Sequence, residues 1–502
     1  MLRYASGLVA ILVLAAAGAR VSATTVAAQP GSATESSYRE THGELLWLNE
    51  GKPNALSREA LEILVESSSH GLHADEYWLD ELTILNESLV RGTSDFAAEY
   101  EGLLTDALLR LFRDLRPQLA QQSPGEAGAG TDLALRLIDA VRSGDLRRFY
   151  ESLIPRHRQY SALRAALRQT ESGIGIATVS LGRGPTLRRG DSGERVAVLR
   201  ARLLDEYWSD SNAVFDAALE AAVRKYQLLN GLTPDGFVGR HTQEHMDMSA
   251  ADRAARIRLA LARWRELPVE LGRDYVHVNI PEYRLEMFRD GSPSLDMRVV
   301  VGSKEDPTPD MIDELEYLVF NPYWHVPRRI ALEELVPQAA VSPGYLGRND
   351  YEVLSEGAVI DEQSIDWAGM DQKSFAYRIR QRPGKSNALG TVKFLFPNSL
   401  DIYLHDSPAR SLYERTARAF SHGCIRVEDP QALARALLES QGTWDDARIA
   451  ETIGKGARRQ INLREPVPVY LTYITVKVTE TGEIAFFDDV YGRDSPVLRR
   501  YL

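Results

Sequence analysis

A disulfide within the chain is excluded at the outset, because the 502 residues contain a single cysteine, Cys424, and a bridge needs two. Beyond the N-terminal stretch there is no run of about 18 apolar residues, the length a membrane-spanning helix requires. A basic surplus is missing too: 71 Asp and Glu against 59 Lys and Arg leave a formal charge of −12. That balance argues against a general nucleic-acid binder, which shows a basic face, and favours peptide, glycan or protein partners. What the N-terminus does carry is one basic residue, Arg3, an apolar run from Leu8 to Ala17, and small residues ending in Val21-Ser22-Ala23 and Val26-Ala27-Ala28. This is the order of a secretory signal peptide over residues 1–28, with an apolar core too short to span a bilayer comfortably. Export is expected, with membrane contact only through an uncleaved signal. Cysteines in an oxidising compartment usually pair, so a lone thiol there points to chemistry rather than packing.

Residues 29–42 are rich in small and polar types and read as a flexible linker. From 43 to 175 apolar residues recur at helical spacing, as in Leu103, Leu104, Ala107, Leu108 and Leu111, which predicts a helical scaffold broken by a Gly-containing loop over 121–130. Residues 183–248 hold apolar helical stretches around Leu199 and Val223 and end in Gly231-Leu232, Asp235-Gly236 and Val238-Gly239. The pattern predicts a compact three-helix unit and resembles the peptidoglycan-binding helical domain. Ala218 stands where that domain has a small polar residue, so capping of the second helix falls to Asp216 or another residue. A linker helix is expected over 251–270.

After Pro268 short β-branched and aromatic runs take over: Tyr275–Ile280, Met297–Val301, Thr391–Phe396, Leu400–Leu404 and Val469–Val476. A mainly β domain is expected over 271–480, followed by a C-terminal tail, 481–502. A polar, helix-leaning insertion over about 328–385 is too long for an ordinary connection and reads as a lid or a decoration. The fold class is therefore multidomain α and β.

The chemistry gathers at Ser421-His422-Gly423-Cys424-Ile425-Arg426, with His405 upstream. A cysteine at its ordinary pKa is only ~3% thiolate at pH 7, so a nucleophile needs a base or a stabilising cation. If 401–405 is a strand, Ile402 and Leu404 face the core while Tyr403 and His405 face the other way. The same rule sets Cys424 with Arg426. His405 would take the thiol proton through one ring nitrogen while an oxygen acceptor fixes the other; His422 is the competing base. Gly423 permits close backbone approach, and the amides of Gly423 and Cys424 suit a tetrahedral oxyanion. Ser421 braces the turn, and Arg426 either holds a substrate carboxylate or forms a structural ion pair. A zinc site from His405, His422 and Cys424 is the rival chemistry, but the spacing is unusual and no second cysteine exists, so neither metal nor cofactor is expected.

Leu404-His405-Asp406-Ser407-Pro408, followed by Ser421–Val427, resembles the signature of the L,D-transpeptidase (YkuD) catalytic domain. The likeness extends to Asn279–Leu285, Val300–Gly302 and Phe320–Pro327, and with the helical region and the three-helix unit nearly the whole mature chain resembles the large, lid-bearing periplasmic L,D-transpeptidases of Gram-negative bacteria. The resemblance implies a periplasmic enzyme acting on peptidoglycan stem peptides and glycan, with other cell-wall synthesis enzymes as candidate partners. It implies that Cys424 forms a thioester with a tetrapeptide stem, expels D-Ala and yields a 3→3 cross-link, and that carbapenems acylate the same thiol. It also implies that the acceptor fixing the histidine is the backbone carbonyl of Asp406, which belongs with the substrate-binding set. Tyr323, Trp324 and Tyr403 line the groove or pack in the core. The same residues would serve a carboxypeptidase or a protein-to-wall attachment enzyme, and a non-catalytic wall-binding protein is the reading from another class.

Overall fold

The computed structural model describes residues 45–120, 129–173, 179–204 and 213–501. The expected signal peptide and linker, and residues 121–128 of the expected loop, lie outside them. The chain divides into two compact units: one draws on residues up to 65, 74–113 and 118–150, the other on 66–73, 114–117 and 151–502.

The first unit is built on α1 (Ala55–Glu66), α2 (Leu79–Val90), α3 (Ala97–Leu115), α4 (Ala129–Ser143) and α5 (Leu146–Leu153). The apolar residues that recur along α3, among them Leu104, Ala107, Leu108 and Leu111, are fully buried, as an amphipathic helix requires. A buried carboxylate, Glu101, accepts the backbone amides of Leu46 and Trp47 at 3.0 and 2.8 Å, and the Trp47 indole donates to Thr105 Oγ1 at 2.8 Å. Polar groups that would be costly in the core are thereby satisfied.

The second unit begins with α6 (Arg158–Ser172). The three-helix segment follows as α7 (Glu194–Leu204), α8 (Ala217–Leu229) and α9 (Arg240–Met246), packed around Leu199, Phe215, Leu219 and Val223. Asp216 caps α8, its carboxylate accepting the Leu219 amide at 2.9 Å. Then comes α10 (Ala250–Arg265), capped by Ser249.

The β domain uses β1 (Tyr275–Asn279), β2 (Arg284–Arg289), β3 (Ser292–Gly302), β4 (Met311–Phe320), β5 (Trp324–His325), β6 (Tyr351–Ser355), β7 (Ala358–Ile360), β8 (Arg378–Gln381), β9 (Val392–Leu395), β10 (Leu404–His405), β11 (Ala419–Ser421), β12 (Ile425–Val427) and β13 (Arg459–Thr472). Nine of them form one sheet in the order β11-β3-β12-β10-β9-β4-β13-β1-β2, and an extra β2–β3 pairing closes it on itself. Closure removes the free edges of β2 and β3, while β11 stays at the margin with β3 as its one neighbour. Inside lie Val278, Leu285, Val299, Leu318, Phe394, Leu404, Ile425 and Val427, all without exposure, and α11 (Pro430–Leu438) adds Leu433 and Leu438.

Three sequence expectations need correcting. The strand expected over Leu400–Leu404 shrinks to Leu404–His405, because Asn398 takes over the backbone of this stretch. Its side chain accepts the Leu400 and Ile402 amides and donates to the Phe396 and Ile402 carbonyls, and Asp401 sits at φ +54°; a local side-chain network of this kind competes with a ladder. The insertion is not simply helical. A helical run over 328–341 leads into a four-stranded sheet, β5-β8-β6-β7, with its own core of Leu335, Leu346, Val353, Trp367 and Ile379. Its strands are short and mostly half-buried, so they lack the alternation that reveals a strand. Finally, the segment expected as a tail forms β15 (Ile484–Phe486) against β14 (Val476–Val478) and reaches the candidate site through Tyr491.

Candidate active site

Three neighbouring strands make the floor. In β9, β10 and β12, Phe394, Leu404 and Ile425 stand side by side, as do Lys393, His405 and Arg426. The apolar row is fully buried, so strand alternation turns the basic row to the other face. One register step along that face, Tyr403 adjoins Cys424, and the Ile425 amide donates to the Tyr403 carbonyl at 3.1 Å.

The turn carrying the thiol is held from several sides. Ser421 Oγ donates to the Cys424 carbonyl at 2.5 Å. Gly423 has φ +105°, and a Cβ there would lie 3.2 Å from Ile402 Cδ1, which accounts for glycine at this position. Thr308 Oγ1 donates to the Gly423 carbonyl at 2.7 Å and accepts the Gly302 amide at 2.8 Å. Tyr491 donates to the Gly302 carbonyl at 2.8 Å and accepts the Thr308 amide at 3.2 Å.

The thiol is half-buried. Its Sγ lies 3.6 Å from the Asp401 carbonyl. Burial pushes it above its ordinary pKa; hydrogen bonds from Tyr403 and the ammonium of Lys393 pull the other way, while Asp401 adds to the rise. Among the described residues the thiol's hydrogen bond runs to the Asp401 carbonyl, Tyr403 lies beside it, and neither histidine bonds to it directly.

The two histidines differ sharply. His405 is buried, and its Nδ1 lies 2.5 Å from the Asp406 carbonyl. A carbonyl only accepts, so Nδ1 donates and Nε2 keeps the lone pair of the neutral ring. Burial, then Arg426 and Lys393, lower its pKa to about 3 against the opposing Asp406 bond. His422 is 40% exposed, and its Nε2 lies 3.0 Å from Glu334 of the insertion. Close by, Arg329 of the insertion pairs with Asp306 at 2.6 Å.

Arg426 is drawn below its usual pKa by burial, and among the described residues its Nε meets no hydrogen-bond partner. The Asp406 carboxylate is committed to structure: it accepts the Thr391 amide and hydroxyl at 2.8 and 2.9 Å and the Ser407 amide at 2.7 Å. It borders a cavity of about 810 Å³ together with Arg410 and Glu428. Tyr403 has its ring 5.7 Å from that of His405. Tyr323 and Trp324 instead meet the insertion, under Arg380 at 4.6 Å and beside Tyr351 at 6.2 Å. Among the described residues no three His, Cys, Asp or Glu side chains gather as a metal-holding group.

Sequence reasoning did not single out Lys393, Thr308 or Tyr491. Lys393 was open to discovery, since it alternates with the apolar Val392 and Phe394 in a strand that was recognised. Thr308 and Tyr491 lie 116 and 67 positions from Cys424 in the chain and carry no local signal.

A half-buried thiol, a neutral imidazole with a fixed tautomer and neighbouring cations are gathered on one face of the sheet. Residues 273–461 match the family model of the L,D-transpeptidase catalytic domain, YkuD. Residues 32–167 match a scaffold domain, and residues 192–246 match the model described as "Putative peptidoglycan binding domain". The chain carries an L,D-transpeptidase catalytic domain together with a peptidoglycan-binding domain. It is similar to a Haemophilus influenzae protein described as "Putative L,D-transpeptidase", 41% identical over 223 residues that make up 44% of this chain and 45% of that protein. It thus spans less than half the length of that relative. Similar solved structures are L,D-transpeptidases from Xylanimonas cellulosilytica (17% identity, 58% of this chain and 99% of that one, TM-score 0.19) and Stackebrandtia nassauensis (14%, 59% and 97%, 0.22).

Proposed function

We infer that this chain is an exported, periplasmic peptidoglycan L,D-transpeptidase that forms 3→3 cross-links through a Cys424 thioester. The observation that carries the reading is the pairing of strands β10 and β12, which puts Cys424 on the same face as, and one step along from, an imidazole whose Nδ1 is tied to a backbone carbonyl. His405, neutral at working pH, takes the thiol proton at Nε2 as Cys424 attacks the carbonyl of the third stem residue. An imidazolium so strongly disfavoured is a strong acid, suited to returning the proton to the departing D-Ala amine. The amides of Gly423 and Cys424 hold the oxyanion, and Arg426 offers its guanidinium to a stem carboxylate. A second stem's side-chain amine then attacks the thioester and frees the thiol. The insertion, paired to the nucleophile turn through Glu334 and to the adjoining loop through Arg329, serves as a lid that favours an amine over water. The three-helix domain holds the enzyme to the wall.

The test is intact-mass analysis of the chain and its Cys424→Ala form with disaccharide-tetrapeptide, products being read from the same mixture. The expected result is a Cys424-dependent thioester, released D-Ala and dimeric muropeptide. Tripeptide without dimer would move the assignment to a carboxypeptidase. Wall binding with neither adduct nor turnover would leave a binding protein.

A further inference from the structure

A histidine that accepts a thiol proton commonly remains as the imidazolium partner of the thiolate. Here the register works against that. His405 stands in one row between Lys393 on β9 and Arg426 on β12, so a charged ring would face a cation on each side within a buried floor. The thiol lies one step along the same face, beside Tyr403. The Lys393 Nζ sits 3.5 Å from the centroid of the Tyr403 ring, at the range of a cation–π contact. An ammonium on that face draws electron density from the phenol and makes its hydroxyl a better donor. Lys393 is half-buried, which strengthens its field.

We propose that Lys393 is the cationic partner of the Cys424 thiolate, acting directly by its charge and through the polarised Tyr403 hydroxyl, while His405, neutral at rest, becomes imidazolium only transiently as it takes the thiol proton and passes it to the leaving amine. Other charged and titratable groups face the thiol too. Asp401 opposes Lys393, Arg426 reinforces it, and Glu334 of the insertion draws on Arg426. His422 is paired with Glu334. Of these, only Lys393 both sits on the Tyr403 ring and directly opposes the effect of burial on the thiol. The inference rests on Cys424 being the nucleophile of the proposed function, but not on the substrate.

The experiment is the pH profile of Cys424 alkylation by iodoacetamide, followed by intact mass on the full chain. The thiolate sulfur displaces iodide and becomes a thioether, so the midpoint reads the thiol itself. Lys393→Met is expected to move that midpoint up by at least one pH unit, about a tenfold loss of alkylation rate at pH 7, and Lys393→Arg to restore it. An unchanged midpoint in Lys393→Met, or no rescue by Arg, would overturn the proposal. His405→Ala gives an independent decision if Lys393→Met fails to fold: a midpoint within a few tenths of the parent supports Lys393 as the partner, and a rise of one unit or more assigns the charge to imidazolium. Normal alkylation profiles in a chain that releases no D-Ala would sink the transpeptidase reading and leave this one standing.

Discussion

The barrel floor and the insertion hold the candidate site in opposite ways. In the floor, Phe394, Leu404 and Ile425 are completely buried behind Lys393, His405 and Arg426, so a change in register would drive charge into the core. The insertion has a core of its own and meets the nucleophile turn and its neighbouring loop through Glu334–His422 and Arg329–Asp306, with side chains 27–51% exposed. Exposed pairs of this kind contribute about 0–1 kcal/mol each. The floor fixes geometry, and the insertion can part from the turn cheaply.

The sharpest way to break this comparison is through the two histidines. His405→Ala is expected to slow D-Ala release by about 10²- to 10⁴-fold, the range for loss of a general base, whereas His422→Ala should cost less than about tenfold because its partner is the insertion. Equal losses would place both rings in the chemistry. A smaller effect separates the two cores. Leu404→Ala should lower the stability of the barrel by about 2–5 kcal/mol in denaturant unfolding. Val353→Ala, at an equally buried position of the insertion, should raise hydrogen exchange within 328–381 and leave the barrel amides protected. The smallest effect is Arg329→Ala: under about 1 kcal/mol in global stability, with faster exchange over 328–341. Barrel-wide loosening in that variant would mean the insertion is part of the floor.

The sequence was most informative where local pattern and tertiary demand agree. The alternation that separates Ile402 and Leu404 from Tyr403 and His405 could be read from the chain even though only Leu404 and His405 are true strand, because the core takes the apolar pair either way. The helices of the three-helix segment and the Asp216 cap were legible for the same reason: spacing and capping act within a few residues. The sheet of the insertion was not legible, since Tyr351–Ser355 is half-buried at nearly every position and Ala358–Ile360 is too short to show a period.

By itself, the sequence determined the chemistry available at the site: one thiol, a histidine on each side of the choice of base, a glycine where the backbone must turn, and an arginine two residues on. Only the tertiary structure decided how they are used. It buried His405 between Lys393 and Arg426, turned His422 toward Glu334, and closed the turn with Thr308 and Tyr491. Those outcomes depend on which strands lie side by side and which loop ends reach the turn, and pairings between distant segments leave no trace in local spacing.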